Sequence, residues 1–260
     1  MSHISFSELK LWSECPFKRK LVYGDKIKGF EGNIYTAFGR AIHAACEKYI
    51  LSKDLPASED SFMKNYVSEL GQLPENIQNE LNQETAESFM EQGMAIIKEV
   101  PQALEDTFGD FQVVSAEEQL YEPIKEFVEK EYSFKGFIDL VLKTSDGKYH
   151  VIDWKSCSWG WDARRRQDSM NVYQLVFYKH YYSKKHGINI NDIDVHFGLL
   201  KRTAKEGAKV EIFKTTSGAI RTKNAIKLLN NALYNISKDR HIKNKVSCAK
   251  CEFYKTSHCP

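Results

Sequence analysis

The chain contains 260 residues, of which 42% are hydrophobic and 28% are charged, so it can form one large domain or two small ones around a substantial core. It has no run of about 18 apolar residues, which excludes a helix that spans a membrane. The N-terminus also lacks the basic and apolar segments of a signal peptide, and we therefore expect an intracellular, cytoplasmic protein with no membrane partner.

The formal net charge of +2 hides an uneven distribution of charge along the chain. Residues 51–130 carry a net charge of −13, whereas residues 131–260 carry a net charge of +12. A division of this kind predicts that part of the surface binds a polyanion. The average charge alone would have argued against a nucleic-acid partner.

The first 110 residues carry helical signals. Ser5 and Glu8 have the spacing of a capping box, and Pro16 can open a second helical segment after Cys15. The acidic stretch after residue 51 has apolar residues at helical spacing. We predict helices over residues 5–14, 16–23 and 36–51, followed by an acidic helical insert over residues 52–110.

The remainder of the chain carries mainly strand signals. Ser145-Asp146-Gly147 is a turn between two apolar segments. We predict strands over residues 111–121, 126–142, 149–155, 193–201 and 209–214, and helices over residues 166–186 and 217–238. This order of elements indicates one mixed α/β domain over residues 1–260, with the helical insert as a lobe.

The six cysteines are Cys15, Cys46, Cys157, Cys248, Cys251 and Cys259. An intracellular chain is not expected to carry a disulfide framework. The last three cysteines lie within twelve residues, and a Cys-x2-Cys pair presents two thiolates to one metal centre. Cys15 is the natural fourth ligand, which would pair the cysteine tail, residues 245–260, with the N-terminal segment. Zinc and an iron–sulfur cluster both fit four thiolates, and three unrelated buried thiols are the alternative; we interpret Cys46 and Cys157 as buried thiols outside this group.

Two aspartates are predicted to face each other across the turn. If the loop has three residues and is centred on Asp146, Asp139 lies opposite Asp153, and Lys155 shares the face of Asp153. Opposed carboxylates repel each other unless a cation lies between them, and hard oxygen ligands favour Mg²⁺ or Mn²⁺. The lysine can position or activate water, or stabilise phosphate charge. The alternative is a surface ion pair between Asp153 and Lys155 on an edge strand.

These residues resemble the core of the PD-(D/E)xK nucleases. Asp153-Trp154-Lys155 after Gly136-Phe-Ile-Asp139 is similar to that core, and in particular to its RecB-type exonuclease branch. Further matches follow in chain order: Ser5 to Pro16 with the first cysteine, Gly39-Arg-Ala-Ile-His43, Glu117-Glu118, Gln174-x3-Tyr178, and Cys248, Cys251 and Cys259. The chain is thus similar to the AddB nuclease domain and to CRISPR-associated RecB-like nucleases, and a phage origin fits its small size.

The resemblance implies a fold, a set of cofactors and roles for individual residues. The fold would be a restriction-endonuclease-like mixed central sheet flanked by helices, with N- and C-terminal segments joined by a four-cysteine iron–sulfur cluster of the 4Fe-4S type, or by zinc. Lys155 would orient or deprotonate the attacking water, and Gln174 and Tyr178 would brace the site or the DNA backbone. The implied ligands of Mg²⁺ or Mn²⁺ are His43, Asp139, Asp153 and the carbonyl of Trp154, with Glu118 supporting a second metal and Glu117 pointing to the other face.

A loop next to the active strand combines aromatic and basic side chains. Arginines can clamp phosphates, and indoles can stack on unpaired bases. We predict that single-stranded DNA is guided by Trp159, Trp161, Arg164, Arg165 and Arg166, in a track that Lys201, Arg202, Lys205, Lys223 and Lys227 could extend. The alternative is a solvated basic loop with one tryptophan in the core.

The leading functional hypothesis is a metal-dependent DNA exonuclease that acts on single-stranded or frayed ends. By analogy, cleavage would run 5′ to 3′ and would include some endonuclease activity. One alternative is a non-catalytic nucleic-acid-binding protein with a four-cysteine zinc tail, although it leaves Asp139, Asp153 and Lys155 unexplained. A restriction-type endonuclease is another alternative, and the acidic lobe could contact a protein partner.

Overall fold

The computed structural model describes residues 2–260 and contains a mixed sheet between two layers of helices. The helices are α1 (Phe6–Glu14), α2 (Pro16–Arg19), α3 (Ile34–Ser52), α4 (Leu55–Gly71), α5 (Glu75–Glu80), α6 (Gln83–Phe108), α7 (Ala163–Gln167), α8 (Ser169–His186) and α9 (Ala219–Ser237). The strands are β1 (Ser2–Ser5), β2 (Phe111–Pro123), β3 (Tyr132–Thr144), β4 (Tyr149–Cys157), β5 (Ile193–Lys201) and β6 (Val210–Thr215). The predicted mixed α/β fold is confirmed.

Local signals explain where several of these elements begin. The Ser5 hydroxyl accepts a hydrogen bond from the Glu8 backbone at the start of α1, as the capping-box spacing predicts. The predicted helix over residues 166–186 is divided, because Asp168 ends α7 and its carboxylate caps α8. The predicted strand over residues 126–142 begins only at Tyr132. The residues before it form a loop that is closed by a hydrogen bond from Ile124 N to Tyr132 O. The prediction missed β1, which is only four residues long.

The sheet has a fork at its centre. Along one side, β3 pairs with β2 in antiparallel orientation. Along its other side, β3 pairs with β1 at residues 132–135 and with β4 at residues 140–143. Residues 136–139 therefore lie between two different partner strands, and β4 continues away from β3 as the parallel neighbour of β5. The fork exposes this part of β3 to side chains from both helical layers.

The predicted register of the β3–β4 hairpin is confirmed. Leu140 pairs with Ile152, and Lys143 pairs with Tyr149, which is the alignment of a three-residue loop centred on Asp146. Gly147 closes this loop at φ +84°, where a residue without Cβ is favoured. The next position in the same register places Asp139 opposite Asp153.

Each face of the sheet carries its own apolar cluster. The first cluster joins α1, α8 and α9 to the sheet through residues such as Leu9, Leu175 and Leu229. The second joins α3, α4 and α6 to the opposite face through residues such as Ile42 and Tyr66. The helices of the acidic insert are thus one part of a layer that covers the sheet. Within residues 2–260, none of the helices has both the length and the apolar character needed to cross a membrane.

A buried histidine pair connects β4 and β5 at the end of the sheet remote from the fork. His150 Nδ1 lies 3.1 Å from His196 Nε2, and Phe108 packs against both rings. Burial, and then the neighbouring His150, lowers the pKa of His196 to about 3. Burial also lowers the pKa of His150.

We expect His196 to make the free energy of unfolding depend on pH. Because its folded-state pKa lies below the unfolded value of about 6.5, its contribution is complete above that pH and is lost as the pH falls towards 3. His196→Gln should therefore reduce the loss of stability between pH 7 and pH 5 by about 2 kcal/mol, measured by urea unfolding. Equal losses in both proteins would contradict this assignment.

Candidate active site

The fork in the sheet brings two buried aspartates together. Asp153 is 2% exposed, and the Asp139 side chain is also largely buried. The Trp154 backbone N–H donates a hydrogen bond of 2.6 Å to Asp139 Oδ2. This carboxylate takes the place of a strand partner just where the pairing of β3 with β4 ends, after Leu140–Ile152. The hairpin thus opens at the position where its register places Asp139 opposite Asp153.

Side chains from β4 and α8 surround the Asp153 carboxylate. Lys155 Nζ lies 2.6 Å from Asp153 Oδ2, without the alignment of a hydrogen bond. Gln174 Nε2 donates to Asp153 Oδ1 at 2.9 Å and to the Tyr178 hydroxyl at 3.0 Å. A Cβ at Gly136 would lie 2.9 Å from the Tyr178 ring, so the absence of a side chain at Gly136 leaves the space that this ring occupies. The amide of Gln174 holds Asp153 in a fixed orientation.

Helix α3 brings His43 to the same place. A Cβ at Gly39 would lie 3.2 Å from Ser156 Oγ, which shows how closely the helix approaches β4 one turn before His43. His43 Nδ1 lies 3.6 Å from Asp139 Oδ2, and the ring also forms a hydrogen bond with the Trp154 backbone. Burial and the charge of Lys155 lower the pKa of His43 to about 4. The ring is therefore neutral near pH 7, as a metal ligand must be.

The electrostatics of the two aspartates favour a bound cation. Burial, and then repulsion from Asp153, raises the pKa of Asp139 well above its ordinary value. Burial raises the pKa of Asp153 as well, although Lys155 opposes the shift. A divalent cation would stabilise the ionised carboxylates, since opposite charge favours the charged form.

The donor set fits a hard divalent cation. Asp153 Oδ2 is buried and is partnered by the Lys155 ammonium, and carboxylate oxygens are the ligands that Mg²⁺ prefers. Among residues 2–260, no three or more histidine, cysteine, aspartate or glutamate side chains converge into a complete metal site. Mg²⁺ does not require one, because it usually binds one or two carboxylates and completes its shell with water and substrate phosphate.

The structure corrects the predicted orientation of the two glutamates on β2. Glu118 lies away from the aspartates and is bound by Ser115, Lys185 and His186. Glu117 is the glutamate near the site: burial raises its pKa, and the charges of Glu47 and Asp153 add to this shift. A β-bulge between Val113 and Ser115 shifts the register of β2 by one residue, so that Glu117 rather than Glu118 lies opposite Asp139.

The predicted DNA-binding loop divides into exposed and structural residues. Trp159 is 79% exposed, whereas Trp161 is 6% exposed and packs against Phe197. Trp161 is therefore excluded from the predicted base-stacking surface, because the core already covers its indole. Arg164 and Arg165 are exposed, but Arg166 forms an ion pair with Glu211 at 2.6 Å.

The residues proposed to extend the track occupy different faces. Lys201 pairs with Glu211 at 3.2 Å, and Lys205 lies in the exposed turn between β5 and β6. Lys223 and Lys227 lie on α9, which packs on the face of the sheet opposite to α3. The predicted track through all of these lysines is therefore wrong, because they do not lie on one continuous surface.

Four cysteines line one small cavity at the junction of the chain ends. They are Cys15, Cys248, Cys251 and Cys259, and all are free thiols. The two segments also meet through hydrogen bonds from Phe17 N to Ile242 O and from Asn244 Nδ2 to Glu14 O. Cys46 is fully buried as predicted, whereas Cys157 is only half-buried, because it lies where β4 leaves the core.

Comparison with known proteins agrees with this geometry. The family model of the PD-(D/E)XK nuclease superfamily matches residues 3–259. The chain belongs to this superfamily. Among solved structures, a "Putative exonuclease" from Eubacterium rectale is similar in fold, with a TM-score of 0.59 at 13% identity over 100% of this chain and 90% of that chain.

A second solved structure, SSO0001, aligns over 94% of both chains at 13% identity, and its TM-score of 0.38 is too low to support an argument. None of the curated proteins matches the chain. Membership of the PD-(D/E)XK superfamily therefore rests on the family model, and the fold of the E. rectale protein agrees with it.

Proposed function

We propose that this PD-(D/E)XK family member is a metal-dependent deoxyribonuclease that removes nucleotides from single-stranded or frayed DNA ends. The observation that carries the proposal is the Asp139–Asp153 pair at the fork, with Lys155 at 2.6 Å from Asp153 and a neutral His43 beside Asp139. The protein of similar fold from E. rectale carries the description "Putative exonuclease", which supports the same class of activity.

Each side chain has a distinct task in the proposed hydrolysis. His43, Asp139, Asp153 and the Trp154 carbonyl would hold Mg²⁺ or Mn²⁺, which supplies charge stabilisation at the scissile phosphate. Lys155 orients the attacking water and holds positive charge close to the phosphate as negative charge develops there. Gln174 keeps Asp153 in position through its hydrogen bond to Oδ1, and Tyr178 anchors the Gln174 amide.

The preference for single strands rests on the surface beside the fork. Trp159 follows directly on β4 and is exposed, which makes it a platform for an unpaired base. The 5′ to 3′ direction, with some endonuclease activity, rests on the resemblance to the RecB-type branch. The acidic helices α4 and α6 cover the side of the sheet from which His43 projects, and we propose them as the contact surface for a protein partner.

A cleavage assay tests the proposal directly. Single- and double-stranded oligonucleotides labelled at either end should be shortened in Mg²⁺ or Mn²⁺, the single strand faster. Chelation with EDTA should abolish product, and added metal should restore it, because the ionised aspartates need the cation. Cleavage that persists in EDTA, or binding without any cleavage in either metal, would contradict the proposal.

We further propose that the four cysteines around the junction cavity hold an iron–sulfur cluster with a structural role. Four free thiols from the two ends of the chain line one cavity and supply the ligand number of a four-thiolate centre, although they would have to draw closer together than in this structure, where they do not converge into a complete site. Zinc has the same ligand requirement, and metal analysis distinguishes the two.

A further inference from the structure

Arg202 is a buried cation without an anionic partner. It follows β5, is 6% exposed, and forms no ion pair with any carboxylate in residues 2–260. Its guanidinium donates to Gln92 Oε1 at 3.2 Å and to Ser158 Oγ at 3.0 Å, both of which are neutral acceptors. A buried charge is costly without a counter-charge, so this position calls for an anion.

Aromatic rings form a box around the guanidinium. The distances from Arg202 Cζ to the ring centroids of Phe89, Tyr35 and Phe38 are 4.1, 5.0 and 5.7 Å. Such contacts offset part of the desolvation cost and hold the planar group in one orientation. The rings cover the faces of the planar guanidinium, so the N–H groups that do not bind Gln92 or Ser158 remain as its free binding capacity.

The hydroxyl of Tyr66, near Arg202, is a donor without an acceptor. The Tyr66 hydroxyl is fully buried, and it forms no hydrogen bond. Burial raises the pKa of Tyr66 to about 12, and the positive charge of Arg202 opposes that shift, which indicates that the two groups are close. Both groups contact the Phe38 ring, and a cation without a counter-charge beside a donor without an acceptor points to an oxygen-rich anion such as a phosphate.

The position of Arg202 connects it to the proposed active site. Tyr35, Gly39 and His43 are spaced four residues apart, so they lie on one face of α3 about 6 Å from each other. Along this face, the His43 ring forms a hydrogen bond with the Trp154 backbone. Gly39 lies close to Ser156, and the Tyr35 ring lies next to the Arg202 guanidinium. We call this line the α3–β4 seam; it leads from His43, beside the aspartates, to Tyr35, beside Arg202, about 12 Å along the axis of α3.

We infer that Arg202, Tyr66 and Tyr35 form a second binding position for the DNA strand, in which Arg202 and Tyr66 bind a backbone phosphate and Tyr35 stacks on a base. Tyr35 is 57% exposed, so it marks the opening of the position to solvent. The inference rests on the proposed nuclease function, and it adds that the strand follows the α3–β4 seam.

Binding measurements test the inference separately from cleavage. A fluorescent single-stranded oligonucleotide is titrated at several salt concentrations with proteins that carry Asp153→Asn, so that the strand is not degraded. Added Arg202→Met should weaken binding about tenfold and reduce the slope of log affinity against log salt by about 0.7, the value for one phosphate contact. Tyr35→Ala should weaken binding about tenfold by removing the stacked ring.

Two further variants keep the test independent of folding. Tyr66→Phe removes only a hydroxyl that has no partner, so thermal stability should be unchanged or higher while affinity falls about two- to tenfold. Arg240→Met is the matched control, because Arg240 also lies near a tyrosine ring without a carboxylate partner but is exposed and far along the chain; it should leave affinity unchanged.

The outcomes separate the two proposals. Wild-type affinity and salt dependence in folded Arg202→Met and Tyr66→Phe would show that the cation is purely structural and would overturn the inference. Salt-dependent binding that requires Arg202, in a protein whose wild type cleaves no DNA, would instead overturn the nuclease function and retain the binding position.

Discussion

Asp153→Asn should reduce DNA cleavage at least about 10³-fold while leaving the protein as stable as the wild type, or more stable. The carboxylate is buried, lies opposite Asp139 and has a raised pKa, which means that the fold disfavours its ionised form. Asparagine removes this charge with little change in volume. The variant thus loses a metal ligand and the partner of Lys155, but it also loses a source of repulsion.

Single-turnover cleavage of a labelled single strand and thermal unfolding measure the two effects together. Glu118→Gln is the matched control, since it makes the same acid-to-amide change on another strand of the same sheet. Hydrogen bonds from Ser115, Lys185 and His186 outweigh burial and lower the pKa of Glu118, so its ionised form stabilises the fold. The control should retain cleavage and lose stability, the reverse of Asp153→Asn.

The prediction has a clear contrary result. If Asp153→Asn retained wild-type products, the paired carboxylates would not be the catalytic centre. If both variants lost cleavage equally, Glu118 would act in catalysis despite its contacts with Lys185 and His186.

The hairpin at the active site could be predicted because its information is local. A turn of known length fixes the register of its two strands, and the alternation of side chains then places Asp139 opposite Asp153. The observed pair Leu140–Ile152 has this register. His43, in contrast, approaches from a helix almost a hundred residues earlier, and only the resemblance in motif order connected it to the aspartates.

The errors arose where tertiary structure overrides a local pattern. Glu117 rather than Glu118 faces Asp139 because of a β-bulge between Val113 and Ser115, which no residue type in the sequence announces. Trp159 and Trp161 lie in the same short stretch of sequence, so the neighbouring residues do not distinguish them. The packing of Trp161 against Phe197 shows which indole is in the core. The sequence does not distinguish Arg202 from the neighbouring cations, because the aromatic rings around it come from α3 and α6, which are distant along the chain.

Cys251→Ser should release the C-terminal segment and lower the yield of folded protein. After α9, the chain contains only a 3-10 turn at Lys245–Lys250, and Phe253 is its most deeply buried apolar side chain. The remaining attachments are few and near the surface, such as the Lys18–Glu252 ion pair at 2.7 Å. Surface ion pairs contribute little, so the proposed centre bound by the four thiols would supply most of the attachment.

Anaerobic purification, iron, sulfide and zinc analysis, and limited trypsin digestion measure the consequence. Wild-type protein should be brown and should contain iron and sulfide, whereas zinc without colour would identify the other four-thiolate centre. Cys157→Ser makes the same chemical change at a half-buried thiol outside the cavity, and it should leave metal content and the digestion pattern unchanged. A Cys251→Ser protein with full stability and an intact tail would mean that the cavity holds no structural centre, and the junction of the chain ends would then depend on Phe253 and the backbone hydrogen bond from Phe17 to Ile242.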